Sequence, residues 1–96
     1  MQTKLLINGQ LVAGEGASQP VLNPSLGCAL VHINEASTAQ VDAAVSAADA
    51  AFDSWSQTTP KDRAQLLLRL AEVIEANAEV LARLESDNCG KPYSAA

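Results

Sequence analysis

Few side chains among these 96 residues could act as nucleophile, base or metal ligand. They are Cys28, Cys89, the single histidine His32, and helical carboxylates such as Glu72, Glu75, Glu79 and Glu85. A cysteine nucleophile needs a neighbouring base to take its proton, so Cys28 or Cys89 would need His32 beside it. Nothing in the spacing requires that, and His32 reads as a structural or surface residue of a short strand. No Gly-rich phosphate loop of either common pattern is present. No CxxC pair or His/Cys group has metal-ligand spacing. Glu72, Glu75 and Glu79 fall on or beside a polar helix stripe and read as a solvated face, whereas Glu85 follows the apolar face into a terminal turn. The residues therefore supply no catalytic constellation and no cofactor-binding motif of their own.

Composition narrows the class further. The chain is 48% hydrophobic but only 3% aromatic, and alanine supplies much of the apolar content. Alanine buries little area, so at roughly 25 cal/mol per Å² the core is thin and stability in isolation marginal. Six basic residues against eleven acidic ones give a net charge of -5. That balance repels phosphate backbones and excludes nucleic acid as a partner. No apolar run approaches the ~20 residues of a membrane span. Leu5-Leu6-Ile7 is shorter than the roughly 7–15 residues of a signal-peptide core, so a cytoplasmic protein is expected. The two cysteines are expected to be free thiols there.

The elements that position these residues divide the chain as follows. Residues 1–36 read as hairpins and strands. Lys4–Ile7 and Gln10–Val12 flank Asn8-Gly9, a hairpin signal because both turn positions take positive φ. Gly14-Glu15-Gly16 is expected to loosen the chain. Gln19–Leu22 and Ala29–Ile33 are further strands around an Asn23-Pro24 to Leu26-Gly27 turn. A helix is expected over 37–56, opened by the capping box Ser37-Thr38-Ala39-Gln40. Its apolar face runs through Val41, Ala44, Val45, Ala48, Ala51, Phe52 and Trp55, with Trp55 a packing residue.

A second, single helix is expected over 59–88, with Thr59 as N-cap, Pro60 at the first position and Asp62 in the first turn. Residues 89–96 begin the next element, with Gly90 and Pro92 as the stop. Leu66, Leu67, Leu70, Val73, Ile74, Val80, Leu81 and Leu84 cover more than half of this helix's circumference. The remaining polar stripe includes a favourable Glu79–Arg83 pair. Such a helix contacts partners on more than one side. The hairpins and an alanine-rich helix cannot cover it. The fold class is α+β as given, N-terminal β-hairpins followed by two helices.

The order and spacing of several short segments carry a resemblance. They are Leu6-Ile7-Asn8-Gly9, Asn23-Pro24-Ser25-Leu26-Gly27, Val41-Asp42-Ala43-Ala44-Val45 with Ala47-Ala48, Ala51-Phe52, Trp55, Pro60 and Arg63-Ala64. They continue with Leu70-Ala71, Ile74-Glu75 and Leu84-Glu85-Ser86-Asp87-Asn88-Cys89-Gly90-Lys91-Pro92. Together they cover nearly the whole sequence, which resembles the N-terminal region of the NAD(P)-dependent aldehyde dehydrogenases. Within the family, the Glu-Ser-x-Asn-Cys-Gly-Lys-Pro ending looks closest to γ-aminobutyraldehyde dehydrogenases, which act in putrescine breakdown.

The resemblance implies a larger α/β fold with a Rossmann-type cofactor domain, of which residues 1–96 form an incomplete N-terminal segment, and a homo-oligomer when intact. It implies NAD as cofactor and a small aldehyde as substrate. In the intact protein a cysteine thiolate attacks the aldehyde, hydride passes to NAD, and glutamate-activated water hydrolyses the thioester. Those residues, and the ones that bind NAD, belong to positions beyond residue 96. Neither Cys28 nor Cys89 matches the catalytic motif.

The same resemblance implies one site that reaches into this segment: a monovalent cation held at Val21, Leu22 and Asn88. Asn88 stands where family members carry aspartate, so the oxygen stays and the charge goes, weakening the site. Asn88 as a simple helix-end cap is the competing reading. An ending at Tyr93-Ser94-Ala95-Ala96, just as another helix should begin, is expected of a truncated sequence. The alternatives are a stand-alone binding module that docks through its apolar helix, or a non-functional truncated copy.

Overall fold

Asn8 and Gly9 both adopt positive φ, 51° and 74°, which is what a two-residue type I′ turn demands. They join β1 (Leu5–Ile7) to β2 (Gln10–Val12). The strands pair antiparallel, with Ile7 opposite Gln10 and Leu5 opposite Val12. A second two-stranded sheet pairs β3 (Ser18–Asn23) with β4 (Cys28–Asn34). The computed structural model describes all 96 residues.

Between the hairpins the sequence expectation needs correcting. Gly14-Glu15-Gly16 does not loosen the chain; it allows close backbone approach. The Gly16 N–H donates to the Glu35 carbonyl at 2.7 Å, and the Glu35 N–H returns a bond to Ala17 at 2.9 Å. A Cβ on Gly16 would lie 2.7 Å from the Glu35 carbonyl oxygen, and one on Gly14 would collide with that of Asn34. Glycine is present because there is no room for a side chain.

Helix α1 (Thr38–Ser56) starts where the capping box predicts. The Gln40 N–H donates to Ser37 Oγ at 3.1 Å, and the Ser37 N–H donates to Gln40 Oε1 at 3.0 Å. Helix α2 (Pro60–Ala76) has Thr59 as N-cap, its hydroxyl accepting from the Asp62 N–H at 3.2 Å.

The single helix expected over 59–88 is two helices. A break at Asn77 separates α2 from α3 (Ala78–Cys89). Asn77 has φ -109° and ψ 17°, outside the helical well. Its side-chain Nδ2 donates to the Val73 carbonyl at 2.8 Å, while its backbone N–H is shared between Val73 and Ile74 at 3.2 and 3.1 Å. An asparagine side chain that takes a carbonyl of the preceding turn competes with the helical ladder. Gly90 ends α3 in the left-handed conformation, φ 77°, as its sequence position predicts. A single 3₁₀ turn follows at Tyr93–Ala95.

The chain divides into two units, Met1–Leu22 with Ala29–Ser56, and Asn23–Cys28 with Gln57–Ala96. Neither has an apolar core. No hydrophobic residue is buried, and the two buried residues are polar, Asn23 and Gln40. The accessible surface is 7392 Å². A folded monomer of this mass exposes about 5,200 Å². The α+β class stands, with three helices instead of two. No helix is long and apolar enough to cross a membrane.

Candidate functional site

In the first unit the best-organised point is a polar node around Gln40, which is only 9% exposed. Besides its part in the capping box, Oε1 accepts from the Glu15 N–H at 2.9 Å, and Nε2 donates to the Ala13 carbonyl at 2.8 Å. One carboxamide thus fixes the start of α1 and ties it to the segment after β2. Sequence reasoning found the cap but missed this second role. Its signal is faint, because the partners are 25 and 27 residues away and are backbone groups. Beside this node a groove of about 420 Å³ is lined by Ile7, Val12, Glu15, Gln40, Ala43 and Ala47, among others.

In the second unit the Asn23–Gly27 turn is built by Asn23. Its Oδ1 accepts from the Ser25 and Leu26 N–H groups at 3.0 and 3.2 Å, and its carbonyl accepts from the Gly27 N–H at 2.8 Å. This is the Asx turn that an Asn-Pro sequence favours. Gly90 lies against it: a Cβ there would meet Pro24 Cγ at 3.3 Å. The Arg83 guanidinium, expected to pair along the helix with Glu79, lies 4.4 Å from the Tyr93 ring centroid, a cation–π contact that fastens the 3₁₀ turn to α3. Arg63 donates from Nη1 to the Thr58 carbonyl at 2.9 Å and so braces the start of α2.

The chemistry-bearing residues stand as follows. Cys28 and Cys89 are free thiols and exposed. The Cys89 Sγ–H donates to the Glu85 carbonyl at 3.0 Å, with Glu85 Oε1 at 3.4 Å. His32 is exposed in β4. It belongs to the first unit and both cysteines to the second. No group of three or more His, Cys, Asp or Glu side chains could hold a metal ion together. Of the residues expected at a monovalent cation, Val21 and Leu22 lie in β3 within the first unit, and Asn88 lies in the last turn of α3 within the second.

What the structure offers most plainly is apolar surface. On α2, Leu66, Leu67, Leu68, Leu70, Val73 and Ile74 are all at least half exposed, Leu68 to 66%. Leu81 and Val80 extend the surface on α3, also exposed. The expected inward face of α1 is bare too, with Val45 and Phe52 exposed to 65% and 63%. Apolar side chains exposed in this number along one helix are what an interface presents.

Comparison with known proteins gives this arrangement a context. A model of the aldehyde dehydrogenase family matches residues 11–96. A mitochondrial aldehyde dehydrogenase from Leishmania tarentolae is 44% identical over 97 residues, covering 100% of this chain and 20% of its own length. The crystal structure of a putative aldehyde dehydrogenase from Burkholderia cenocepacia superimposes with a TM-score of 0.89 at 47% identity, over 97% of this chain and 19% of its own. That of an NAD-dependent benzaldehyde dehydrogenase from Corynebacterium glutamicum gives 0.90 at 32% identity, over 96% and 20%. The 96 residues span about a fifth of the length of these proteins.

Proposed function

Because this chain belongs to the aldehyde dehydrogenase family, we propose that it is the N-terminal part of an NAD-dependent enzyme that oxidises an aldehyde to the carboxylic acid. The family match over residues 11–96 carries the reading. Its support within the fold is the bare apolar surface of α2, which a larger body of the same enzyme would cover. In this reading residues 1–96 are an incomplete N-terminal segment of the cofactor-binding domain, and the intact enzyme is a homo-oligomer. They take no direct part in the reaction, and the segment alone turns over nothing.

When bound, NAD would supply the hydride acceptor, and in this reading the residues that would hold it lie outside this segment. The segment's own contribution is placement: the Gln40 node holds the β1–β2 hairpin region to α1, and α2 presents the docking face. The substrate in this reading is γ-aminobutyraldehyde, on the strength of the Glu85-Ser86-Asp87-Asn88-Cys89-Gly90-Lys91-Pro92 ending. A monovalent cation belongs to the same proposal, with the carbonyls of Val21 and Leu22 and the neutral side-chain oxygen of Asn88 as its donors here. So does a cytoplasmic location, although the Leishmania relative is named as mitochondrial.

The intact mass of the native gene product tests this first. A product several times longer than these 96 residues supports the reading, and a native product of about 10.0 kDa, the mass of the segment itself, would overturn it. With the longer product in hand, turnover of γ-aminobutyraldehyde with NAD is then compared with turnover of benzaldehyde. A higher kcat/KM for benzaldehyde would retire the substrate assignment and leave the family intact.

A further inference from the structure

The tip of the first hairpin carries a reactive pair. Asn8 and Gly9 are both exposed and form the whole loop between Ile7 and Gln10. Pairing of Ile7 with Gln10 closes the loop, so the Gly9 amide is not a donor of the strand ladder. A Cβ built on Gly9 would meet nothing within 4 Å apart from its two chain neighbours, so the rest of the chain leaves this turn open to solvent. The carbon of an asparagine carboxamide is an electrophile, and the next backbone nitrogen reaches it by closing a five-membered ring. We propose that Asn8 is a modification site in the native protein, converted spontaneously from amide to acid with Gly9 nitrogen as nucleophile and water as co-reactant.

The Gly9 nitrogen loses its proton to solvent and bonds to Asn8 Cγ. The bond between Cγ and Nδ2 breaks, and Nδ2 leaves as ammonia with a proton from solvent. Water then opens the cyclic imide at either carbonyl, giving aspartate or isoaspartate, with no oxidation or reduction. Isoaspartate routes the main chain through Cβ and so lengthens the loop. A two-residue turn with Ile7 opposite Gln10 has no slack for that, so β1 loosens from β2.

The other four asparagines supply controls. Asn23 precedes Pro24, which has no N–H to attack with, and is 8% exposed. Asn34 precedes Glu35, whose N–H is committed to Ala17 at 2.9 Å. Asn77 has its side-chain amide bonded to Val73, and Asn88 precedes a helical residue.

The experiment incubates the native gene product in mildly alkaline buffer made with heavy-oxygen water and maps the label by peptide mass spectrometry. Label should enter at Asn8 several-fold faster than at the other asparagines, as a mixture of aspartate and isoaspartate. Asn8→Gly should abolish it while keeping the hairpin, because Gly-Gly also fits the turn. Labelling at Asn8 no faster than elsewhere would overturn the proposal. So would labelling there only after unfolding in urea.

Discussion

The start of α1 and the middle of α2 are held by opposite means. At Gln40, polar groups are buried and satisfied: Oε1 and Nε2 together bond to Ser37, Glu15 and Ala13. Along α2, apolar side chains from Leu66 to Ile74 lie open to solvent. Hydrogen bonds of this kind are geometric and complete within the segment, and they specify one arrangement of strand and helix. Apolar burial is the larger stabilising term in proteins, and along α2 it is absent. The chain thus carries its specificity within itself, and in the proposed reading most of its stability comes from the rest of the enzyme.

The most severe test of that contrast is Leu70→Ala. In a longer native product it should lower stability by about 2–5 kcal/mol, as for a buried leucine. In the 96-residue segment, where Leu70 is exposed, it should stay within about 0.5 kcal/mol. Denaturant titration of both proteins measures the difference, and equal small effects would mean that nothing covers this face. Next comes Gln40→Ala, expected to cost about 2–4 kcal/mol in the native product by stranding the Glu15 and Ser37 N–H groups and the Ala13 carbonyl. Gln40→Glu sharpens the result, because it keeps the Oε1 acceptor but sets a second oxygen and a buried charge against the Ala13 carbonyl, so it should also fall clearly below wild type.

Gly16→Ala should cost about 1–3 kcal/mol, since the new methyl meets backbone that cannot rotate away. A melting temperature equal to wild type would show that this crossing yields easily. The smallest effect expected is that of Thr59→Ala, about 1 kcal/mol for the lost cap. Amide exchange should speed up at Asp62 and hardly at all in α1.

What could be read from the residues follows this same division. Asn8-Gly9, the Ser37-to-Gln40 box, Thr59-Pro60 and Gly90 were legible because each acts on backbone within a few positions of itself. The Gly14 and Gly16 crossing was not, because what forbids a side chain there is the backbone of Asn34 and Glu35, about twenty residues on. The Asn77 break was hidden for a different reason. One asparagine costs a helix little by propensity, and only its chosen rotamer decides whether Nδ2 takes the Val73 carbonyl. The bareness of α2 was legible from its apolar pattern, which the hairpins and an alanine-rich helix cannot cover, but what such a face would meet was not, since an apolar face does not name its partner. The expected donors at Val21 and Leu22 are carbonyls, which every residue carries, so no residue type announces them.

Asn77 also decides where the order of the last helix comes from. Thr59, Pro60 and Asp62 give α2 a strong beginning. Helix α3 has a firm end at Gly90, but its first residue follows Asn77, whose side chain makes no capping bond. Forming a first helical turn is the costly step, and adding residues to an existing turn is cheap. Asn77 belongs to both ladders: its N–H donates to the Val73 and Ile74 carbonyls, and its own carbonyl accepts from the Leu81 N–H at 3.0 Å, the first bond of α3. Helical order can therefore propagate from α2 into α3 instead of nucleating twice. A polypeptide that began after Asn77 would have to start that helix with nothing to start it.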